Sequence, residues 1–213
     1  MKLAVFDCDS TLSRIEGVDE LARVSDPEIF ARVEEMTNQA MGGDVPIDEV
    51  FGRRLDLIQP TEKMCREIGQ QYITEMIPGV AEVCEKLKKS GWTLIIISGG
   101  FTQVIEPLAE ALGVAEVHAV SLVFDADGNY LDFDRDAPTA RNGGKPEIIQ
   151  MLKNKHAPSS IFMVGDGVSD LETKPLVDRF IGFGAVIPRK KVKEGADFFT
   201  ESFLDIFDLV ADL

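Results

Sequence analysis

Asp7 and Asp9 stand two residues apart at the end of the apolar run Leu3-Ala-Val-Phe6, and Asp166 and Asp170 follow another such run, Ile161-Phe-Met-Val164. Residues i and i+2 of an extended strand project to one side, so Asp7 and Asp9 would face the same way. Two carboxylates that close repel, and a divalent cation, a proton or both must hold them. The pair alone would also suit a solvated strand end with incidental acids. Joined by Asp166 and Asp170, it makes an oxygen-rich site suited to Mg²⁺, a hard ion that takes carboxylates, water and a substrate phosphate. A magnesium-dependent phosphate site is the leading expectation.

Ser98, with Gly99 and Gly100, closes a third apolar run, Thr93-Leu-Ile-Ile-Ile97. A hydroxyl and adjacent glycine amides offer donors to phosphoryl oxygens, although the same residues also make an ordinary polar turn. Lys145, in Asn142-Gly-Gly-Lys-Pro146, sits at a predicted helix start. A cation there opposes the helix dipole, so its charge needs another purpose.

The three apolar runs read as buried strands that each open into a polar loop. Helical periods over Thr102–Leu112 and Pro146–Lys155, and from Pro78 to near Gly91, alternate with them. Strand and helix in alternation imply an α/β protein with a parallel sheet, whose ligands sit outside the carboxyl ends of the strands. The polar clusters fall at those ends. Residues 14–77 break the alternation with helical periodicity, which predicts a helical cap inserted after strand one, over a core of 1–13 and 78–213. Residues 117–133 read as a β-hairpin around Asp125-Ala-Asp-Gly128-Asn. That string also looks like the opening of a calcium loop, but Asp136 occupies the twelfth position, where glutamate is expected.

The 213 residues carry 37 acidic and 22 basic side chains, a formal charge of −15. Such a surface repels a phosphate backbone and argues against nucleic-acid binding. No apolar run is long enough to span a bilayer, and Asp7 and Asp9 interrupt the N-terminal run before it could form a signal-peptide core. A cytoplasmic protein without membrane contact is expected, as a monomer or homodimer. Cys8, Cys65 and Cys84 have no C-x-x-C spacing and read as thiols. His118 and His156 are the only histidines and lie away from every motif, against a phosphohistidine or Ser-His-Asp mechanism. Trp92 reads as core.

The set Asp7-x-Asp9-Ser-Thr11, Ser98-Gly-Gly100, Lys145 and Gly165-Asp-Gly167-x-x-Asp170 resembles the four motifs of the haloacid dehalogenase superfamily, in the same order. The resemblance implies that superfamily's Rossmann-like doubly wound fold. It makes Asp7 the nucleophile that becomes an aspartyl-phosphate, and Asp9 the general acid and base. Asp7 and Asp166 would be side-chain ligands of Mg²⁺, joined by the Asp9 backbone carbonyl, with Asp170 holding metal-bound water. Ser98 and Lys145 would bind the phosphoryl group.

Within that superfamily the chain is similar to the phosphoserine phosphatases. The likeness is carried by Phe6–Ala22, Ala40–Pro46, Arg54–Pro60 and Phe180–Gly184. It implies that Glu16 binds the ammonium of O-phospho-L-serine and Arg54 its carboxylate, as a bidentate fork. Met41, Gly42, Gly99, Gly100, Ser169 and Arg189 would complete the substrate site. Glu16 and Arg54 could also be ordinary surface charges, and Arg53 stands beside Arg54. Ile47 replaces an aromatic residue of many relatives, and Ser169 replaces Thr or Asn. The expected activity is magnesium-dependent hydrolysis of phosphoserine, the last step of serine biosynthesis. Phosphoryl transfer to another alcohol such as homoserine, hydrolysis of another small metabolite, and a catalytically silent binding protein are the alternatives.

Overall fold

Leu3, Ala4, Val5 and Phe6 are all buried, as a strand covered on both faces requires. Leu3 and Val5 face one apolar layer with Ile148, Ile149 and Leu152, while Ala4 and Phe6 face the other with Val80, Val83 and Val104. Successive residues of this strand thus feed two cores. The structure is a computed structural model that describes the backbone of residues 1–42 and 47–213 and the side chains of 1–36 and 50–213.

The chain runs β1 (Lys2–Phe6), then α1 (Gly17–Ser25), α2 (Pro27–Gly42), α3 (Ile47–Ile58) and α4 (Glu62–Thr74), with no strand between them among the described residues. It continues through α5 (Val80–Lys89), β2 (Trp92–Phe101), α6 (Thr102–Leu112), β3 (Glu116–Val120), β4 (Leu122–Phe124) and β5 (Tyr130–Phe133). It ends with α7 (Gly144–His156), β6 (Ser160–Gly165), α8 (Val168–Leu171), β7 (Arg179–Phe183), α9 (Lys190–Gly195), β8 (Phe198–Thr200) and α10 (Ile206–Leu209). Six strands form one sheet in the order β3-β2-β1-β6-β7-β8, and all the pairings are parallel. Strand β1 lies inside it between β2 and β6. The C-terminal ends of β1, β2 and β6, where the three polar clusters lie, are therefore neighbours. This is the expected doubly wound α/β architecture.

Three details differ from the reading of the sequence. Helix α5 begins at Val80 rather than Pro78, because Gly79 takes a left-handed conformation at φ 93°. The hairpin is confined to β4 and β5; residues 117–120 belong to β3, which pairs with β2 in the main sheet. Its turn is held by Asp125, whose Oδ1 accepts from the Asp127 and Asn129 amides at 2.9 Å each. Strand β2 does not stop at Ile97 but continues through Ser98-Gly-Gly to Phe101.

Trp92 is buried, with its ring 4.8 Å from that of Phe162. All three cysteines are buried free thiols. Among the described residues no helix is long and apolar enough to cross a membrane.

Candidate active site

The chain leaves β1 with the Asp7 amide still donating to Val164 of β6, at 2.9 Å, so Asp7 is fixed to the sheet. The backbone then turns tightly. The Cys8 carbonyl accepts from the amides of Thr11, Leu12 and Ser13, and Ser10 adopts φ 54°. A positive φ is uncommon for a residue with a side chain, and the buried Ser10 hydroxyl finds its partner in Glu16 Oε1 at 2.6 Å. The Asp9 carboxylate is held from two of the helices that follow. Its Oδ1 accepts from the Tyr72 hydroxyl and its Oδ2 from the Gly17 amide at 3.3 Å. Burial, followed by the charge of Glu16, raises the Asp9 carboxyl well above the usual range. At neutral pH that favours an acid able to give a proton.

Asp7, Asp166 and Asp170 are buried together, with one carboxylate oxygen of each within 4.8 Å of the others. Asp166 directly follows β6, and Asp170 lies in α8 one turn later. The Asp170 carboxylate accepts from the Gly167 amide at 2.9 Å. Lys145 enters from the first turn of α7, buried, and its Nζ donates to Asp7 Oδ1 at 2.8 Å and to Asp170 Oδ1 at 2.6 Å. The cation at the helix start thus has two anionic partners. Burial opposes its charge, but Asp170 and Asp7 outweigh burial and raise its pKa. Arg189 Nη1 meets Asp166 Oδ2 at 2.9 Å.

Two cations therefore face three carboxylates. Burial, then the negative charge of Asp7, raises Asp166 to about 8 and Asp170 to about 7. Acids so raised take up protons near neutrality unless a further cation is present. A buried all-oxygen donor set with a deficit of positive charge fits a hard divalent ion.

Ser98 and its glycines sit in a bulge of β2. Between the pairs Ile97–His118 and Phe101–Val120, β2 advances four residues and β3 two. The extra residues leave the ladder, as bulges beside functional sites commonly do. Ser98 is buried and its Oγ accepts from the Gly100 amide at 3.0 Å, while Gly99 is exposed. A Cβ at Gly100 would lie 3.4 Å from Asp9 Oδ2, so this turn borders that oxygen directly.

Glu16 is half-buried and responds to burial first, which raises its pKa, and then to Ser10, Asp7 and Arg189. Arg54 is half-buried on α3, and burial lowers its pKa against the nearby charges of Asp19 and Glu16. Its guanidinium stands 5.7 Å from the Phe51 ring centroid. Arg53, by contrast, is exposed. Ser169 is exposed on α8. The backbone of Met41 and Gly42 closes α2, but their side chains and that of Ile47 lie outside the described residues, as do residues 43–46.

The structure thus brings Asp7, Asp9, Ser98, Gly100, Lys145, Asp166, Asp170 and Arg189 to one end of the sheet, with Glu16 joined to them through Ser10. Both histidines are elsewhere, paired with Glu116 at 3.2 and 2.7 Å. The sequence reading did not single out Tyr72. Cys65, Ile68, Gly69 and Tyr72 form the buried face of α4 at helical spacing, a pattern that reads only as core.

The chain matches the family model described as "haloacid dehalogenase-like hydrolase" over residues 1–173. It is 39% identical over 203 residues to the phosphoserine phosphatase of Bos taurus, spanning 94% of this chain and 89% of the bovine protein. A phosphoserine phosphohydrolase-like protein from Francisella tularensis superposes with a TM-score of 0.85 at 25% identity, over 99% of this chain and 100% of that one. A phospho-aspartyl intermediate analogue of phosphoserine phosphatase superposes with a TM-score of 0.83 at 25% identity, over 98% of each chain. Fold, motif order and sequence agree along nearly the whole length, and the chain belongs to the phosphoserine phosphatase family of the haloacid dehalogenase-like hydrolases.

Proposed function

We propose that the protein is a cytoplasmic, magnesium-dependent phosphatase that converts O-phospho-L-serine and water to L-serine and phosphate through an aspartyl-phosphate. The observation that carries the substrate reading is the placement of Glu16 and Arg54. An acid and a guanidinium, both half-buried, lie within electrostatic reach of each other, and Glu16 is within reach of Asp7. An amino-acid ester presents an ammonium and a carboxylate to such a pair.

In the first step Asp7 attacks phosphorus. Asp9, whose proton affinity is raised by burial and by the charge of Glu16, gives its proton to the departing seryl oxygen. In the second step the Asp9 carboxylate takes a proton from water, whose oxygen attacks the acyl phosphate and releases Asp7. Lys145 holds the Asp7 carboxylate and offers positive charge to the phosphoryl oxygens, and the Ser98 hydroxyl, itself held by the Gly100 amide, completes their cradle with the Gly99 amide. The four helices α1–α4 act as the cap over this end of the sheet. The Asp7 and Asp166 carboxylates with the Asp9 carbonyl would hold Mg²⁺, and Asp170 would support it from outside. Bound there, the ion offsets the repulsion between the anionic nucleophile and the phosphate.

Phosphate release from phosphoserine, phosphothreonine, phosphoethanolamine and glycerol phosphate, with and without magnesium, tests this reading. Strong preference for phosphoserine is expected. Equal rates on phosphoethanolamine, which has no carboxylate, would remove the role of Arg54. Accumulation of phosphohomoserine when homoserine is added would make the enzyme a phosphotransferase.

A further inference from the structure

Tyr72 is one of two tyrosines in the chain and is fully buried on α4. A buried phenol needs a hydrogen-bond partner, and this one donates to Asp9 Oδ1, 63 residues away in sequence. Its position depends on two close approaches. Gly69, on the same face of α4, lets that helix press against α6; a Cβ there would stand 2.8 Å from Pro107 Cγ and 3.1 Å from the Val104 carbonyl. Gly17, at the start of α1, leaves the space the phenol occupies, since a Cβ at residue 17 would lie 2.5 Å from the Tyr72 oxygen. The same residue supplies the amide that meets Asp9 Oδ2 at 3.3 Å.

The two oxygens of Asp9 are therefore not equivalent. Oδ1 is taken by a buried hydroxyl. Among the described residues, Oδ2 has only a long amide contact, and it borders the Ser98–Gly100 turn where phosphoryl oxygens would lie. A carboxyl free to rotate would present either oxygen or neither, and misplacing a proton-transfer group by an ångström is costly in rate.

We propose that Tyr72 is a positioning residue for the reaction: its hydroxyl locks the Asp9 carboxyl so that Oδ2 faces the substrate and carries the transferred proton. The inference rests on the reading of Asp9 as general acid and base. In the first step the proton on Oδ2 passes to the seryl oxygen as its bond to phosphorus breaks and the bond from Asp7 forms. In the second, Oδ2 takes a proton from water as the water oxygen bonds to phosphorus and the bond to Asp7 breaks. Tyr72 keeps its own proton throughout.

The test is Tyr72→Phe, which retains the ring and removes only the hydroxyl, compared with the parent and Asp9→Asn in single-turnover phosphorylation by alkyl and aryl phosphates of graded leaving-group pKa. The loss should grow with leaving-group pKa: about tenfold or more on phosphoserine, with KM within about threefold of the parent, and little on p-nitrophenyl phosphate, whose leaving group needs no proton. Gly17→Ala, which drives a methyl into the phenol oxygen, should reproduce that dependence by a separate route. An equal loss on all esters, or parent rates in both variants, would overturn the role of Tyr72 while leaving Asp9 in place. If Asp9→Asn itself loses nothing on phosphoserine, the reading of Asp9 fails and the inference falls with it.

Discussion

Lys145 and Asp170 meet at 2.6 Å, buried, joining the first turn of α7 to α8, the short helix that follows β6. The same ammonium holds Asp7 at 2.8 Å, so one side chain ties the end of β1 to the end of β6 through charge. A cation in this position organises the acids of the site before any ligand arrives.

Replacing Lys145 with Met should therefore cost stability as well as activity. Breaking a buried pair leaves its partner uncompensated, typically at about 3–5 kcal/mol. The deficit should depend on pH. Asp170 is raised to about 7 by burial and by Asp7, above an unfolded value of roughly 3.9. A raised carboxyl favours the folded state at acid pH and loses that contribution as pH rises through the folded pKa. Removing Lys145 raises Asp170 further, so the variant should trail the parent most above about pH 7 and least near pH 5. Urea unfolding of both proteins in chelator, across that range, checks this; a deficit independent of pH would count against it.

Asp7→Asn keeps the size of the side chain but cannot attack phosphorus. Phosphate release should fall by about a hundredfold or more, with the circular dichroism spectrum unchanged. Turnover within tenfold of the parent would remove Asp7 as nucleophile.

Magnesium should stabilise the folded protein, because a preformed carboxylate cluster binds it in the native state alone. At about a hundred times its dissociation constant the gain is roughly 2.7 kcal/mol, seen as a rise in melting temperature over the chelated protein. Asp166→Asn should lose most of that rise. The rise should also shrink as pH falls through the Asp166 value of about 8, because protons then compete for the ligand oxygen. Undiminished stabilisation of Asp166→Asn would place the ion elsewhere.

Recognition should separate from chemistry at Glu16 and Arg54. Glu16→Gln or Arg54→Ala removes the partner for one end of phosphoserine, a loss of roughly 2–5 kcal/mol in kcat/KM by analogy with buried charge pairs. p-Nitrophenyl phosphate presents neither group and should change much less. Equal losses on both substrates would make these residues supports of the fold.

Much of this site is legible in the sequence because it is built from local patterns. The strands β1, β2 and β6 are buried on both faces, so each reads as an unbroken apolar run that ends where a polar loop begins. In a parallel sheet those ends must coincide, which brings Asp7, Ser98 and Asp166 together from spacing alone. Weaker elements escape the same logic. Strand β3 is only partly buried over most of its length, so its affiliation with β2 rather than with the neighbouring hairpin rests on pairing. Strand β8 has three residues, too few to show a period.

Other relationships are decided only in three dimensions. That Asp9 meets Tyr72 follows from the left-handed Ser10 and from the close seat of α4 against α6 at Gly69. That Lys145 spans two acids, and that Arg189 reaches Asp166, depends on where α7 and the loop before α9 dock. Sequence determined which residue types stand at the ends of which strands, because hydrophobic period and turn chemistry act over a few residues. Which side chains then share a proton or a charge was decided by packing between distant segments, where a single missing Cβ sets an ångström of position.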